Sequence, residues 1–330
     1  MINYDSRWVG NNGIGRFAFE LKKRLAPMNA FNGMIKPTSP LDCIYLSMYL
    51  FYYRGCFFSP GFNAPIFNLN RYIFTIHDLN HVDTSYNSSF FKRIYYKFIM
   101  KRACHKAKKV LTVSEFSKKR IVEWSGIASG KIVNVGNGVD VEFNQNAKPC
   151  LLGYKYLLCV SNRKLHKNEP RLLQAFAKAS IDKNIKLLLT GKINDELNLL
   201  IKELKITERV EFTGFIEDGD LPGLYTGALG LVFPSLYEGF GLPVVEAMAS
   251  GIPVLTSNVA SLPEIAGDAA ILVDPTSTEK IKQGIEQLVN NQALRHQLIA
   301  LGLERAKLYS WDKVAEKVNA VLQEALNDSK

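Results

Sequence analysis

Phe233-Pro234-Ser235-Leu236-Tyr237-Glu238-Gly239-Phe240-Gly241-Leu242-Pro243-Val244-Val245-Glu246-Ala247-Met248 reads as the end of a strand, a loop with two glycines and the start of a helix. Pro243 suits a first helical turn, so the helix opens there with free backbone N–H groups pointing ahead of it. Gly239 and Gly241 let a ligand approach the backbone closely, and a helix N-terminus favours negative charge. Glu238 lies in the loop and Glu246 on the first turn, so two carboxylates face one cleft from different heights. Carboxylates accept hydrogen bonds from sugar and ribose hydroxyls. A lone G-x-G would be a capped βα turn with a surface glutamate; the second glutamate turns the reading toward a ligand.

Outward from this turn the chain alternates short apolar runs with amphipathic segments, the pattern of βα units building a parallel sheet. Strands are expected at 156–160, 185–190, 210–213, 229–233, 254–256 and 270–273, with helices at 169–179, 195–204, 221–226, 243–250 and 278–289. Six strands and their crossovers make one doubly wound domain. The first half reads similarly, with strands at 2–4, 72–76, 110–113 and 132–135 and helices near 15–25, 89–105 and 115–124. The polar stretch 142–153 is the expected linker, which gives an α/β protein of two Rossmann-like domains, 1–150 and 151–311. The last helix, 312–326, carries Val314, Val318, Val321, Leu322 and Ala325 on one face and must pack on something, the first domain being a candidate.

The 330 residues are 47% apolar and 22% charged, which excludes disordered and fibrous classes. The net charge of +10 is uneven. Residues 1–150 hold 21 Lys plus Arg against 9 Asp plus Glu, a net +12, while the remainder holds 20 against 22, a net −2. Lys92 to Arg120 alone holds eleven Lys or Arg and a single acid, Glu115, interleaved with Phe90, Phe91, Tyr95, Tyr96, Phe98 and Ile99. On a helix this suits an anionic bilayer surface or a lipid phosphate, and no nucleic-acid module surrounds it. The longest greasy stretch, Ile44 to Tyr53, is far short of the roughly 20 residues of a spanning helix, and no leader pattern opens the chain. Five scattered cysteines without metal-type spacing fit a reducing compartment. The expectation is a cytoplasmic protein, peripheral at the inner face of the membrane.

Four further motifs carry chemistry. Ser161-Asn162-Arg163-Lys164-Leu165-His166-Lys167-Asn168 follows a strand, where Arg163 and Lys167 are placed to hold a diphosphate. Gly10-Asn11-Asn12-Gly13-Ile14-Gly15-Arg16 opens a helix and can close over phosphates, but the third glycine and the acidic partner of a dinucleotide site are missing, which disfavours a dehydrogenase. His77, in Ile76-His77-Asp78-Leu79, sits at a strand's carboxyl edge, and Ser114 is a plausible N-cap of the helix after it. Asp218-Gly219-Asp220 tempts a metal reading, yet it lies in a loop with Asp220 as the expected cap of the next helix.

The run from Phe233 to Met248, with Ser250-Gly251-Ile252-Pro253-Val254, Ser261-Leu262-Pro263-Glu264-Ile265 and Asp274-Pro275, resembles the E-x7-E signature of retaining glycosyltransferases of family 4. The resemblance implies the GT-B fold, two Rossmann-like domains facing a cleft. It assigns Glu238 to donor-sugar hydroxyls, Glu246 to the nucleotide ribose, and the amides of Gly239, Phe240, Gly241 and Leu242 to sugar and phosphates. Arg163 and Lys167 match the family's diphosphate pair, the Gly13 and Gly15 loop caps the pyrophosphate, His77 approaches the donor sugar, the backbone near Ile216 touches the base, and Ser114 faces the acceptor. It implies no metal or other cofactor. Bacterial mannosyltransferases of O-antigen or polysaccharide pathways look most similar, so GDP-mannose leads as donor, a UDP-hexose follows, and a lipid-linked or growing polysaccharide is the expected acceptor. A non-catalytic, membrane-associated GT-B partner is the alternative from another class.

Overall fold

Among the described residues the strands of the computed structural model pair in parallel, apart from one antiparallel bridge between Gly191 and Gly214. The structure describes residues 2–10, 12–25, 28–84, 90–217 and 219–327, with Phe90 described by its backbone alone. Contacts divide the chain into two units, Met1–Gly138 with Ser310–Lys330, and Val139–Tyr309. The division falls at Gly138, ahead of the polar stretch 142–153, because those residues pack with the second unit: Cys150 N–H donates to Gly223 O at 2.8 Å.

In unit 1 the strands are β1 (Ile2–Asp5), β2 (Asn29–Phe31), β3 (Cys56–Ser59), β4 (Tyr72–Thr75), β5 (Lys109–Thr112) and β6 (Ile132–Asn134), in the order β2-β1-β3-β4-β5-β6. Between them run α1 (Gly13–Arg24), α2 (Asp42–Tyr52), α3 (Asn80–Asp83), α4 (Phe90–Ile94), α5 (Lys101–Lys106) and α6 (Glu115–Ser125). A π-helical segment, Tyr95–Met100, joins α4 to α5. The expected start of this helix at Ser89 lies outside the described residues. Two strands, α2 and the four-residue α3 are additions to the expected set. β2 is three residues long with no period to read, and the fully buried β3 follows so closely on the apolar α2 that neither shows a helix or strand alternation.

In unit 2 the strands are β7 (Tyr156–Cys159), β8 (Lys186–Leu189), β9 (Val210–Phe212), β10 (Gly230–Phe233), β11 (Val254–Ser257) and β12 (Ala270–Val273), in the order β12-β11-β10-β7-β8-β9. The helices are α7 (Glu169–Lys178), α8 (Asp195–Glu203), α9 (Leu221–Thr226), α10 (Leu242–Ala249), α11 (Leu262–Ala266), α12 (Thr278–Asn290) and α13 (Gln292–Ala306). The six expected strands all form. Leu157, Leu187, Leu189, Val232 and Leu255 from the sheet meet Leu172, Phe176, Ile281 and Ile285 from α7 and α12 in one core.

The last helix, α14 (Trp311–Asn327), belongs to unit 1. It packs on α1, Arg24 Nε lies 2.6 Å from Asp312 Oδ1, and Lys109 Nζ lies 2.9 Å from Glu324 Oε1. Its start is fixed by close approach, since a Cβ on Gly138 would sit 2.4 Å from the Trp311 nitrogen.

Each sheet winds outward in both directions from its first strand, so each has a switch point where consecutive crossovers diverge: between β1 and β3 in unit 1, between β7 and β10 in unit 2. Ligands of doubly wound sheets bind outside the carboxyl ends of the strands at such points. The two switch points are built differently.

Candidate active site

At the unit 2 switch point the turns after β7 and β10 meet through charge. Lys167 Nζ lies 2.7 Å from Glu238 Oε1, and the ammonium also sits 4.7 Å from the centre of the Phe233 ring. Both side chains are mostly shielded from solvent, where a charge-assisted bond is stronger than at an open surface. Asn168 fixes the first turn. Its backbone is left-handed, at φ 61°, a conformation asparagine tolerates, and its buried amide donates to Pro234 O at 2.9 Å and Pro275 O at 2.7 Å. One side chain thereby ties the turns after β7, β10 and β12 together.

The second turn is held from below. Ser261 Oγ donates to Glu238 O and to Phe240 O, both at 2.9 Å, and Ser257 Oγ donates to Ser235 O at 2.6 Å. Gly241 has φ 105°, and a Cβ there would lie 2.7 Å from Leu262 Cδ2, so both conformation and space require glycine. The chain then enters α10 with Pro243 in its first turn, as expected. Glu246 is buried on that helix, where Tyr225 OH donates to its Oε2 at 2.7 Å.

Arg163 is the most constrained of the expected residues. Its backbone is left-handed (φ 63°), its guanidinium pairs with Glu169 and donates to Thr190 O and, at 2.9 Å, to Lys192 O, and it lies 5.1 Å from the Phe212 ring centre. The fork is thus anchored on the turns after β7 and β8, while Lys167 lies against Glu238. Ile216 sits elsewhere, bordering a groove of about 1050 Å³ with Phe215, Thr213, Glu211 and Tyr154; Lys167, Glu238 and Glu246 do not line that groove. Asp218 lies outside the described residues. Asp220 stands at the start of α9 but its side chain makes no cap hydrogen bond, so the expected cap does not form. Asn168, Tyr225 and Ser261 are not among the expected site residues, although Asn168 and Ser261 stand at the ends of the Ser161–Asn168 and Ser261–Ile265 motifs; Asn168 and Ser261 tie turns together, and Tyr225 holds Glu246.

Unit 1 places its expected residues on one side of its sheet. His77, which follows β4, donates from Nε2 to Pro60 O at 2.9 Å, which leaves Nδ1 as the acceptor in the neutral ring. Burial pushes its pKa down to about 4, against a small upward pull from the Pro60 carbonyl, so the ring is neutral at pH 7. Phe17 of α1 meets it edge-on at 4.9 Å, and Ser117 Oγ donates to His77 O at 3.0 Å. Ser114 is fully buried and accepts from Ser117 N–H at 3.0 Å, so its hydroxyl serves as the expected cap of α6. Gly13 opens α1, whereas Gly15 lies within its first turn against Gly10, whose oxygen would be 2.3 Å from a Cβ. Gly15 is therefore required by backbone packing.

The unit 1 switch point is filled by the chain itself. Arg7 Nε and Nη2 each lie 2.7 Å from the Asp5 carboxylate, and Nη1 lies 2.5 Å from Asp42 Oδ1. Asn63 Nδ2 bridges both acids, at 3.1 Å from Asp5 and 2.8 Å from Asp42. All four side chains are buried, and burial raises the Asp42 carboxyl despite Arg7. This network holds at the unit 1 switch point the place that the Lys167–Glu238 pair holds at the unit 2 switch point. Among the described residues no three His, Cys, Asp or Glu gather as a metal site would need.

Two doubly wound parallel sheets make up the GT-B fold of glycosyltransferases. Solved structures agree on the fold: WaaG, a glycosyltransferase involved in lipopolysaccharide biosynthesis, matches with TM-score 0.76 at 13% identity over 97% of this chain and 99% of its own. Anabaena Alr3699/HepE in complex with UDP-glucose matches with TM-score 0.77 at 16% identity over 98% and 99%. The chain belongs to the family described as Glycosyl transferases group 1, matched by residues 140–305, with residues 55–143 matching Glycosyltransferase Family 4. Relatives include O-antigen chain mannosyltransferase B of Escherichia coli, 32% identical over 280 residues, 79% of this chain and 72% of that protein. MMP alpha-(1->4)-mannosyltransferase of Mycolicibacterium hassiacum is 31% identical over 71% of this chain and 59% of its own length. Serotype-specific mannosyltransferase WbdA of Escherichia coli is 29% identical over 64% of this chain, a match spanning only 28% of that protein.

Proposed function

We propose that this glycosyltransferase moves mannose from GDP-mannose, with retention at the anomeric carbon, onto a hydroxyl of a lipid-linked or growing polysaccharide at the cytoplasmic face of a membrane. The observation that carries the reading is the Lys167–Glu238 pair at the unit 2 switch point, a cation for the diphosphate beside an acceptor for sugar hydroxyls. The mannosyltransferase names of the relatives support the choice of sugar.

In this reading the bond from the sugar's anomeric carbon to the diphosphate oxygen breaks, and the electron pair leaves on the diphosphate. Lys167, Arg163 and the N-terminus of α10 stabilise the charge that develops there. The acceptor hydroxyl bonds to the same face of the carbon, and its proton passes to the departing diphosphate oxygen. No metal is required in this scheme, because the cationic side chains and helix dipole balance the leaving group. Glu238 reads the sugar and Glu246, on α10, reads the ribose.

The test is a donor panel without acceptor: slow hydrolysis of GDP-mannose, GDP-glucose, UDP-glucose and UDP-galactose, with and without chelator. GDP-mannose should turn over fastest, and chelator should leave the rate intact. Preference for a UDP-hexose would overturn the donor, and loss on chelation with rescue by manganese would overturn the metal-free scheme.

A further inference from the structure

Helix α2 turns an apolar face to solvent. Ile44, Met48, Phe51 and Tyr52 are exposed at spacings of four, three and one residues, which places them on one side of the helix, and Leu41 lies at its start. The opposite side buries Leu46 and Leu50 in the core, so α2 is apolar on both sides and only one is covered. A 65% exposed phenylalanine and a 79% exposed tyrosine at one helix end need a partner more than scattered surface leucines do.

The face continues beyond α2. Ser47 accepts from the backbone N–H of Ile66 at 2.7 Å and of Phe67 at 3.3 Å, which sets the exposed Phe67 beside the stripe. Across that loop, Arg102 donates to Ile66 O, and Tyr95 OH lies 3.1 Å from the Ala64 N–H that donates to it. Phe98 lies between Tyr95 and Arg102 along the helix, and it and Ile94 are exposed. Loop 62–67 is therefore a seam flanked by two helices, each presenting apolar side chains outward.

Charge selects the occupant. Arg54, Lys92, Arg93, Lys97, Lys101 and Arg102 are all exposed around these side chains. Residues 41–67 and 90–109 contain one acid, Asp42, and it is buried against Arg7. A second copy of this face would set cations against cations with no acid between them, whereas an anionic lipid surface satisfies both the rings and the charges. We propose that α2, loop 62–67 and the helix from Phe91 to Arg102 form one membrane-docking surface, with Met48, Phe51, Phe67 and Phe98 entering the headgroup boundary of an anionic bilayer. This rests on the peripheral attachment proposed above and names the surface that makes it.

The test measures partition of the full chain onto vesicles of phosphatidylcholine with 30% phosphatidylglycerol, as a composition of choice, at low and high salt. Met48→Ser with Phe51→Ser should weaken partition by about tenfold or more, because each ring or thioether withdrawn from the interface forfeits its burial. Donor hydrolysis and thermal unfolding should stay unchanged, and Phe51→Trp should show a blue-shifted emission on vesicles. If the wild type fails to bind at low salt, both the attachment and this surface fall. Should replacement of Lys92, Arg93, Lys97 and Lys101 by Ser release the protein while the α2 double variant binds normally and the emission of Phe51→Trp stays unshifted, attachment stands and this surface is overturned. A change in sedimentation rather than in vesicle binding would assign the face to a second copy and overturn the proposal too.

Discussion

Lys167 Nζ lies 2.7 Å from Glu238 Oε1, and this pair joins the turn after β7 to the turn after β10 at the point where the unit 2 sheet winds away in both directions. The residue assigned to the diphosphate and the residue assigned to the sugar are electrically coupled, so neither can be altered alone.

Glu238→Gln keeps the shape and removes the charge. Turnover should fall about 30-fold or more, as expected when roughly 2 kcal/mol of transition-state stabilisation is lost. Affinity for the free nucleoside diphosphate should hold or rise, because the lysine is no longer neutralised. Lys167→Ala should weaken that affinity, since it removes a cation and leaves a carboxylate near phosphate. Titration calorimetry with GDP decides it, and weaker GDP binding in Glu238→Gln than in Lys167→Ala contradicts the assignment.

Tyr225→Phe removes the donor that lies 2.7 Å from the buried Glu246 carboxylate. A hydrogen bond to a charged group contributes about 1.5–3 kcal/mol, so the variant should lose stability on that scale and bind GDP more weakly. Glu246→Ala should weaken GDP binding further. Wild-type GDP affinity in both variants would remove Glu246 from the nucleotide site.

His77 gives a pH signature. Its folded pKa of about 4 lies below the ordinary value near 6.5, because burial disfavours the imidazolium. Between those values the unfolded chain holds a proton that the folded chain does not, so stability rises with pH across the window and is lost as pH falls through it. The loss from this one group reaches about 3 kcal/mol at pH 4, and His77→Gln should flatten that part of the profile. Urea unfolding from pH 4 to 7 checks it; parallel profiles for the two proteins would contradict the assignment.

Arg7→Met tests the filled switch point of unit 1. It leaves Asp5 and Asp42 buried without their cation, a change that typically costs about 3–5 kcal/mol. The deficit should shrink toward low pH, because burial already raises the Asp42 carboxyl and its protonation removes uncompensated charge. A deficit independent of pH would mean that Arg7 acts by packing on Phe31, 4.8 Å away, rather than by charge.

The sheet of unit 2 was readable because each strand is an apolar run bounded by turn residues, and the loop from Phe233 to Leu242 declared itself through its glycines, of which the geometry requires Gly241. The fixing residues were not readable. Asn168 and Ser261 bind carbonyls brought together by topology, and nothing in their neighbours' sequence says which turn will lie alongside. Arg7 and Asp42 sit in different elements, so their pairing depends on the placement of α2, whose apolar run shows no helix or strand alternation. The pattern around Gly15 did locate α1, but the glycine proved to meet Gly10. G-x-G spacing alone does not distinguish close backbone packing from a phosphate loop.

The central claim, that the unit 2 switch point cleaves a mannosyl nucleotide with retention, is tested most directly by proton NMR of the first product released from GDP-α-mannose. The account predicts that α-mannose, or an α-mannoside where acceptor is supplied, appears first and that its appearance is slowed in Glu238→Gln. A β-configured first product, or no turnover of GDP-mannose while another nucleotide sugar is consumed, would contradict it.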